Sequence, residues 1–268
     1  MPNKTRVAYF SMEIALEPGI PTYGGGLGVL AGDTIRSGAD LGVPMAAVSL
    51  LHRQGYFHQL LDAAGQQTEE PVRWAVDDFV EPLEPRAEVT IEGRTVQLRA
   101  WRYQVTGVRG AEVPVYLLDT NLPENAEPDR ALTGSLYGGD ARYRLSQEVV
   151  LGVGGLRMLR ALGYERIHRF HLNEGHAALV ALALFEEIRV RSDDGQCDPD
   201  SILEEIRDHC VFTTHTPVPA GHDIFPAELV EALLGGDRTT LLTEFGQRDT
   251  LNLTDLALRS ARFVNGVA

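Results

Sequence analysis

The chain reads as an α/β protein built around a parallel sheet, and three observations carry that expectation. Arg6 to Ser11 is a short apolar run, Gly28 to Leu41 has helical spacing, and Pro44 to Leu51 is apolar again. Strand, helix, strand with continuous apolar residues marks strands covered on both faces. The same order returns later, with a strand over Arg166 to Leu172, a helix over Gly175 to Arg191 and a strand over Cys210 to Thr214. Between them, Val89 to Trp101 alternates apolar and polar residues around Glu92-Gly93, a hairpin signal.

Taken in order, Gly42 and Pro44 close the first helix. The Pro- and acid-rich stretch Glu81 to Arg86 leads into a β-rich insertion over about 81–120, which Arg102 to Val105 and Pro114 to Asp119 extend. A loop rich in Pro, Gly and Asp runs from Asn121 to Asp140, followed by a helix over Arg142 to Leu162. The tail from Pro226 is expected to be helical, with an amphipathic segment over Leu251 to Val264. The apolar ending that follows reads as a polypeptide cut in mid-course.

With 268 residues, 44% of them hydrophobic, the chain can bury a substantial core as one large domain or two small ones. A formal net charge of −14 argues against a nucleic-acid or anionic-membrane surface. Cys197 and Cys210 make neither a disulfide framework nor a metal knuckle, which fits a reducing cytoplasm. The apolar stretch Val149 to Leu162 is interrupted by Arg157 and Arg160, so no membrane span is expected. Lys4 is the only lysine and sits in a polar terminus, so chemistry that needs a buried lysine is incomplete in this chain.

The densest motif is Pro21-Thr22-Tyr23-Gly24-Gly25-Gly26-Leu27-Gly28, running into the first helix. Side-chain-free backbone and a helix start offer unpaired N–H groups to an anion, a phosphate above all. No Gly-Lys-Ser/Thr follows, and Pro18, Gly19 and Pro21 separate the glycines from the preceding strand, so neither a P-loop nor a dinucleotide site fits. The alternative is a tight turn into a packed helix.

Two strand ends deliver polar clusters, Phe170-His171-Leu172-Asn173-Glu174-Gly175-His176 and Val211 to Pro219 with His215. In a doubly wound sheet both should face the crevice of the glycine loop. His171, His176, His215 and His222 with Asp223 lack metalloprotease spacing, and no metal site is expected. His171 reads as a satisfied strand histidine, His176 as either a packing or a site residue, and His215 as the one least explained by packing. Asp140, Asn173 and Glu174 suit sugar hydroxyls; Tyr9, Tyr56 and Trp74 are either sugar-stacking or core. Glu13, after a buried strand, needs a partner, for which Arg53 is the economical choice.

Tyr9-Phe10-Ser11-Met12-Glu13, Tyr23 to Asp33, Arg53-Gln54-Gly55-Tyr56-Phe57, Leu136-Tyr137-Gly138-Gly139-Asp140, Phe170 to His176 and Thr213 to Asp223 together resemble the α-glucan (glycogen, maltodextrin or starch) phosphorylase family, in its shorter bacterial and archaeal branch. The resemblance implies the N-terminal Rossmann-like domain of a GT-B glycosyltransferase fold, the C-terminal, cofactor-binding domain being absent. It implies pyridoxal phosphate held by a lysine outside this chain. The implied partners are α-1,4-glucan, inorganic phosphate and glucose 1-phosphate, with homo-oligomerisation left open.

Carried over by motif, Gly25, Gly26 and Leu27 would face phosphate, Gly26 and Glu13 would lie on the cofactor side, and His215 would contact the donor glucose. Asp140 would belong to a gating loop, and Asn173, Glu174 and His176 would line the site. Ala141 departs from the asparagine that longer members place there. The implied reaction is retaining phosphorolysis to glucose 1-phosphate. A sugar-nucleotide transferase of glycogen- or starch-synthase type, and a glucan-binding module without catalysis, are the alternatives; the former typically has lysine where this chain has Gly24.

Overall fold

A computed structural model describes residues 5–70, 72–191, 198–218 and 222–267. Lys4, Cys197 and positions 219–221 of the last motif lie outside them.

The framework is an eight-stranded sheet of β1 (Val7–Ser11), β2 (Met45–Leu50), β5 (Glu81–Ile91), β6 (Arg94–Thr106), β7 (Glu112–Asp119), β8 (Arg169–Asn173), β9 (Cys210–Thr214) and β12 (Phe263–Gly266), in the order β12-β9-β8-β1-β2-β7-β6-β5. The first six in that order pair in parallel, and β6 and β5 add on antiparallel. Two small hairpins complete the strands, β3 (His58–Leu61) with β4 (Gln67–Glu70) and β10 (Ile224–Pro226) with β11 (Thr250–Asn252).

The apolar run in β1 divides itself between two faces, as strand geometry requires. Ala8 and Phe10 enter one core with Ala46, Val48, Leu172 and Phe212, while Tyr9 enters the other with Ala47, Val115 and Leu117. Helix α1 (Gly26–Leu41) covers the Tyr9 face through Ala31, Ile35 and Ala39. It starts two residues before the expected Gly28 and ends where expected, with Gly42 at φ 68°.

After the short α2 (Glu127–Arg130), the opposite face is covered by α3 (Ala141–Val149), a π turn (Val150–Gly154), α4 (Gly155–Ala161) and α5 (Leu179–Arg191). The single helix expected over Arg142 to Leu162 therefore has a wide turn in its middle. Glycines let this region approach its neighbours. A Cβ on Gly152 would stand 2.7 Å from the Leu179 backbone, and one on Gly155 2.9 Å from the Phe10 ring. The remaining helices are α6 (Pro199–His209), α7 (Ala227–Leu234), α8 (Gly236–Glu244) and α9 (Leu253–Ser260). No helix among the described residues is long and apolar enough to cross a membrane.

Three expectations change. The β-rich stretch is continuous with the main sheet, because β7 pairs in parallel with β2 and carries the β6–β5 hairpin with it. Its turn is as read, with Glu92 at φ 52° and Gly93 at φ 72°. Glu81 to Arg86 is strand, not linker, since an edge strand accommodates prolines at the irregularity between Pro82 and Arg86. The segment Leu251 to Val264 is helical only over Leu253–Ser260, and Phe263–Gly266 pairs with β9 as a strand.

Gly152→Ala is expected to lose about 1–3 kcal/mol of folding stability, the cost of forcing atoms into a packed contact, because its Cβ meets fixed backbone. Gly236→Ala, with nothing within 4 Å of its Cβ, should be neutral or slightly stabilising. Urea unfolding of both variants checks the contrast.

Candidate functional site

The carboxyl ends of β1, β8 and β9 lie side by side, with Ser11 opposite Asn173 and Asn173 opposite Thr213. Asn173, fully buried, donates from Nδ2 to Ser11 Oγ at 3.0 Å. Its Oδ1 accepts from His215 Nε2 at 2.8 Å, which leaves His215 Nδ1 as the acceptor nitrogen.

Glu174 follows in a conformation that side chains other than glycine seldom adopt, φ 67° and ψ 167°. Its own carboxylate holds it there. Oε1 accepts from the Gly175 amide at 3.0 Å, while Oε2 accepts from the amides of His215 at 2.8 Å and Thr216 at 3.1 Å and from the Thr216 hydroxyl at 3.1 Å. The turn carrying His215 is thus fixed by the preceding strand's end. Burial lowers the His215 pKa, against the opposing pull of Glu174 and Glu13.

Glu13 has a partner other than Arg53. Its buried carboxylate accepts from the amides of Gly24 at 2.6 Å and Gly25 at 3.1 Å and from the Tyr137 hydroxyl at 2.8 Å. Arg53 instead pairs with Asp119 at 2.5 Å, beside Arg99 and Trp101. Some of the anion-binding capacity of the glycine loop is therefore used by the protein itself. The amides of Gly26, Leu27 and Gly28 make no hydrogen bond among the described residues.

The glycines divide by purpose. A Cβ on Gly28 would meet Tyr23 at 2.5 Å and Glu13 at 2.7 Å, and one on Gly24 would meet Tyr56 at 3.1 Å. At Gly25 and Gly26 nothing lies within 4 Å. Packing explains the first pair, and open space over bare backbone distinguishes the second.

Tyr137, itself at φ 54°, joins the 136–140 loop to this centre, with its ring 5.4 Å from His176. Asp140 is exposed and caps α3, accepting from the Tyr143 amide at 3.0 Å; Ala141 is the first residue of that helix. A cavity of about 630 Å³ is lined in part by Arg53, Arg130, Gly138, Gly139 and Tyr143, and Asn173, Glu174 and His215 are not among its lining residues.

His171 is the strand histidine expected, bonded to Thr213 Oγ1 at 2.8 Å and lowered by burial to about 4. Of the three candidate aromatics, Tyr9 is core, Trp74 donates to the His52 carbonyl, and Tyr56 is exposed beside Gly24. Sequence reasoning missed Glu148, Arg144 and Tyr137. Glu148 is buried on α3 near His176 and Asp223, and burial, then Asp223, holds its pKa well above the carboxylate range. Burial pushes Asp223 up, but the hydrogen bond from His176 and the charges of His176 and Arg144 outweigh it and leave it lowered.

Glu174→Gln replaces an acceptor-only group by one that presents N–H to amides. It should cost about 1–3 kcal/mol, the scale for leaving buried donors unmade, measured by urea unfolding. Burial alone would raise Asp119, yet Arg53, Trp101 and the Asn121 amide bring it down to about 2 from 3.8. A lowered carboxyl stabilises the fold above its unfolded value and loses that contribution as pH falls through the folded one. The stability difference between the wild type and Asp119→Asn should therefore shrink from about pH 4 to pH 2, as pH-dependent unfolding would measure.

No family model matches the chain. Among known proteins it is 39% identical over 295 residues to a glycogen phosphorylase of Mycobacterium tuberculosis, covering 98% of this chain and 33% of that protein. It is 38% identical over 274 residues to a maltodextrin phosphorylase of Thermococcus litoralis, covering 98% of this chain and 32% of that protein. A glycogen phosphorylase of Aquifex aeolicus matches at 31% over 286 residues, 99% of this chain and 40% of the other. The chain spans about a third of the length of the first relatives it matches. Its motif resemblance is matched by similarity along nearly its whole length, and the chain is a homologue of the glycogen and maltodextrin phosphorylases.

Proposed function

We propose that the chain supplies the N-terminal Rossmann-like half of a GT-B α-1,4-glucan phosphorylase, which transfers the terminal glucosyl unit to inorganic phosphate with retention. The observation that carries this reading is the set of unbonded amides at Gly26, Leu27 and Gly28, at the same sheet edge as a histidine turn fixed by Glu174 and Asn173. Glu13, which holds the adjoining amides, is near enough to His215 to act on its pKa.

In this reading the free amides and the start of α1 hold phosphate oxygen. Gly25 and Gly26 leave the approach open. His215 Nδ1 accepts from a glucose hydroxyl, because Nε2–H is committed to Asn173. The His215 carbonyl faces the positive charge that develops at the anomeric carbon. The glycosidic C–O bond breaks, a C–O bond to phosphate forms, and the departing glucan oxygen takes a proton from the phosphate. Asp140 belongs to the loop that gates the cleft, and His176 lines the sugar side.

Pyridoxal phosphate, when bound, supplies a phosphate group that exchanges protons with the substrate phosphate. The residues here fit its phosphate end, through the open glycine backbone and free amides, but not its attachment. Lys4 is the only lysine of the chain, and in this reading the anchoring lysine lies outside it.

The complete protein should release glucose 1-phosphate from maltodextrin in the presence of inorganic phosphate, and residues 1–268 alone should not. His215→Ala, which keeps the main-chain carbonyl but removes the imidazole contact to the glucose hydroxyl, should lower kcat/KM by about 10- to 100-fold, the scale of one lost buried hydrogen bond, while retaining the cofactor's absorbance. Glucosyl incorporation from a nucleotide sugar without phosphorolysis would favour the synthase-like alternative, and glucan binding without turnover a binding module.

A further inference from the structure

Three elements outside the glycine loop bring metal-ligating atoms together. Glu148 stands in the last turn of α3, His176 in the turn Gly175–Ala177 after β8, and Asp223 immediately before β10. One ligand atom from each lies within 4.8 Å of the others. His176 Nε2 and Asp223 Oδ2 are 3.2 Å apart.

One buried ligand atom of this cluster lacks a hydrogen-bond partner, Glu148 Oε2, on a residue 1% exposed, while His176 presents Nε2 to Asp223. In the absence of an ion the Glu148 carboxyl shares a hydrogen bond with Asp223, and a divalent ion at the same place would take over the compensation that this proton gives. The charges agree. Arg144 lies 2.5 Å from Asp223 Oδ1 and 2.6 Å from Oδ2, so it compensates Asp223 and leaves Glu148 short of a direct cationic partner among the described residues.

We propose that Glu148, His176 and Asp223 form a binding site for a divalent transition-metal ion of the zinc class. One imidazole nitrogen with two carboxylate oxygens is a donor set for such ions, whereas magnesium and calcium prefer oxygen ligands in larger number. Metal–ligand distances of about 2.0–2.2 Å place the ligand atoms of a tetrahedral site roughly 3.4 Å apart. The His176–Asp223 pair, at 3.2 Å, has that spacing, and a Glu148 carboxylate oxygen lies within 4.8 Å of both. The ion would clamp α3, the end of β8 and the approach to β10, beside the sugar side on which the proposed function places His176.

Titration of the full chain with zinc chloride by calorimetry, with cobalt(II) absorbance as the coordination readout, tests this directly. One equivalent should bind, with the visible bands of a four-coordinate cobalt site. Glu148→Gln, checked for folding by circular dichroism, should weaken binding by about 100-fold or more, beyond the 10- to 100-fold typical of outer-shell changes. Crystals soaked in zinc chloride should show an anomalous peak between the three side chains. Unchanged affinity in Glu148→Gln, or zinc found only at surface histidines such as His58 and His168, would overturn the proposal. Should the variant fail to fold, the anomalous map of the wild type decides, and an absent peak would overturn the site and leave a proton as the ion that balances Glu148.

Discussion

Glu13 is the constraint on which the geometry of the strand-end edge depends. A carboxylate buried at the end of β1 has to be compensated, and it finds compensation in two glycine amides and one tyrosine hydroxyl. Three segments distant in sequence are thereby tied to one side chain: the end of the first strand, the glycine loop and the 136–140 loop. The consequence for binding is specific. The loop is oriented by an internal anion at Gly24 and Gly25, while the next amides, of Gly26, Leu27 and Gly28, make no hydrogen bond among the described residues.

Glu174 has the corresponding role at the end of β8. Its rarely populated backbone conformation costs on the order of 1–3 kcal/mol, offset by a carboxylate that gathers the amides of Gly175, His215 and Thr216. Asn173 adds the contact that selects the His215 tautomer. Strand pairing sets the positions, and two acids set the orientations. The imidazole is held by Asn173 and its turn by Glu174, the kind of preorganisation on which the proposed function relies.

Much of this was legible in the residues. The apolar runs at 6–11, 44–51 and 210–214 named three neighbouring or near-neighbouring strands, because buried parallel strands need no alternation. Glu92-Gly93 named its turn, since both positions need positive φ. The joining of the hairpin to the main sheet was not legible, as the pairing of Ala47 with Val115 is set by long-range packing. Phe263–Gly266 was absorbed into a helical pattern because a short apolar edge strand after a helix leaves no break in periodicity. Partner choice was the weakest point. Glu13 met amides where an arginine was expected, and Glu148 looked like one more acid on a helix, since its burial and its neighbours His176 and Asp223 come from tertiary packing.

A crystal structure of the complete protein with glucose 1-phosphate tests the central claim most directly. Phosphate oxygens within hydrogen-bond distance of the Gly26 and Leu27 amides, with the glucose against His215 and the Glu13 bonds to Gly24 and Gly25 intact, is the predicted result. A ligand held elsewhere, with those amides turned toward solvent or a neighbouring side chain, would contradict it.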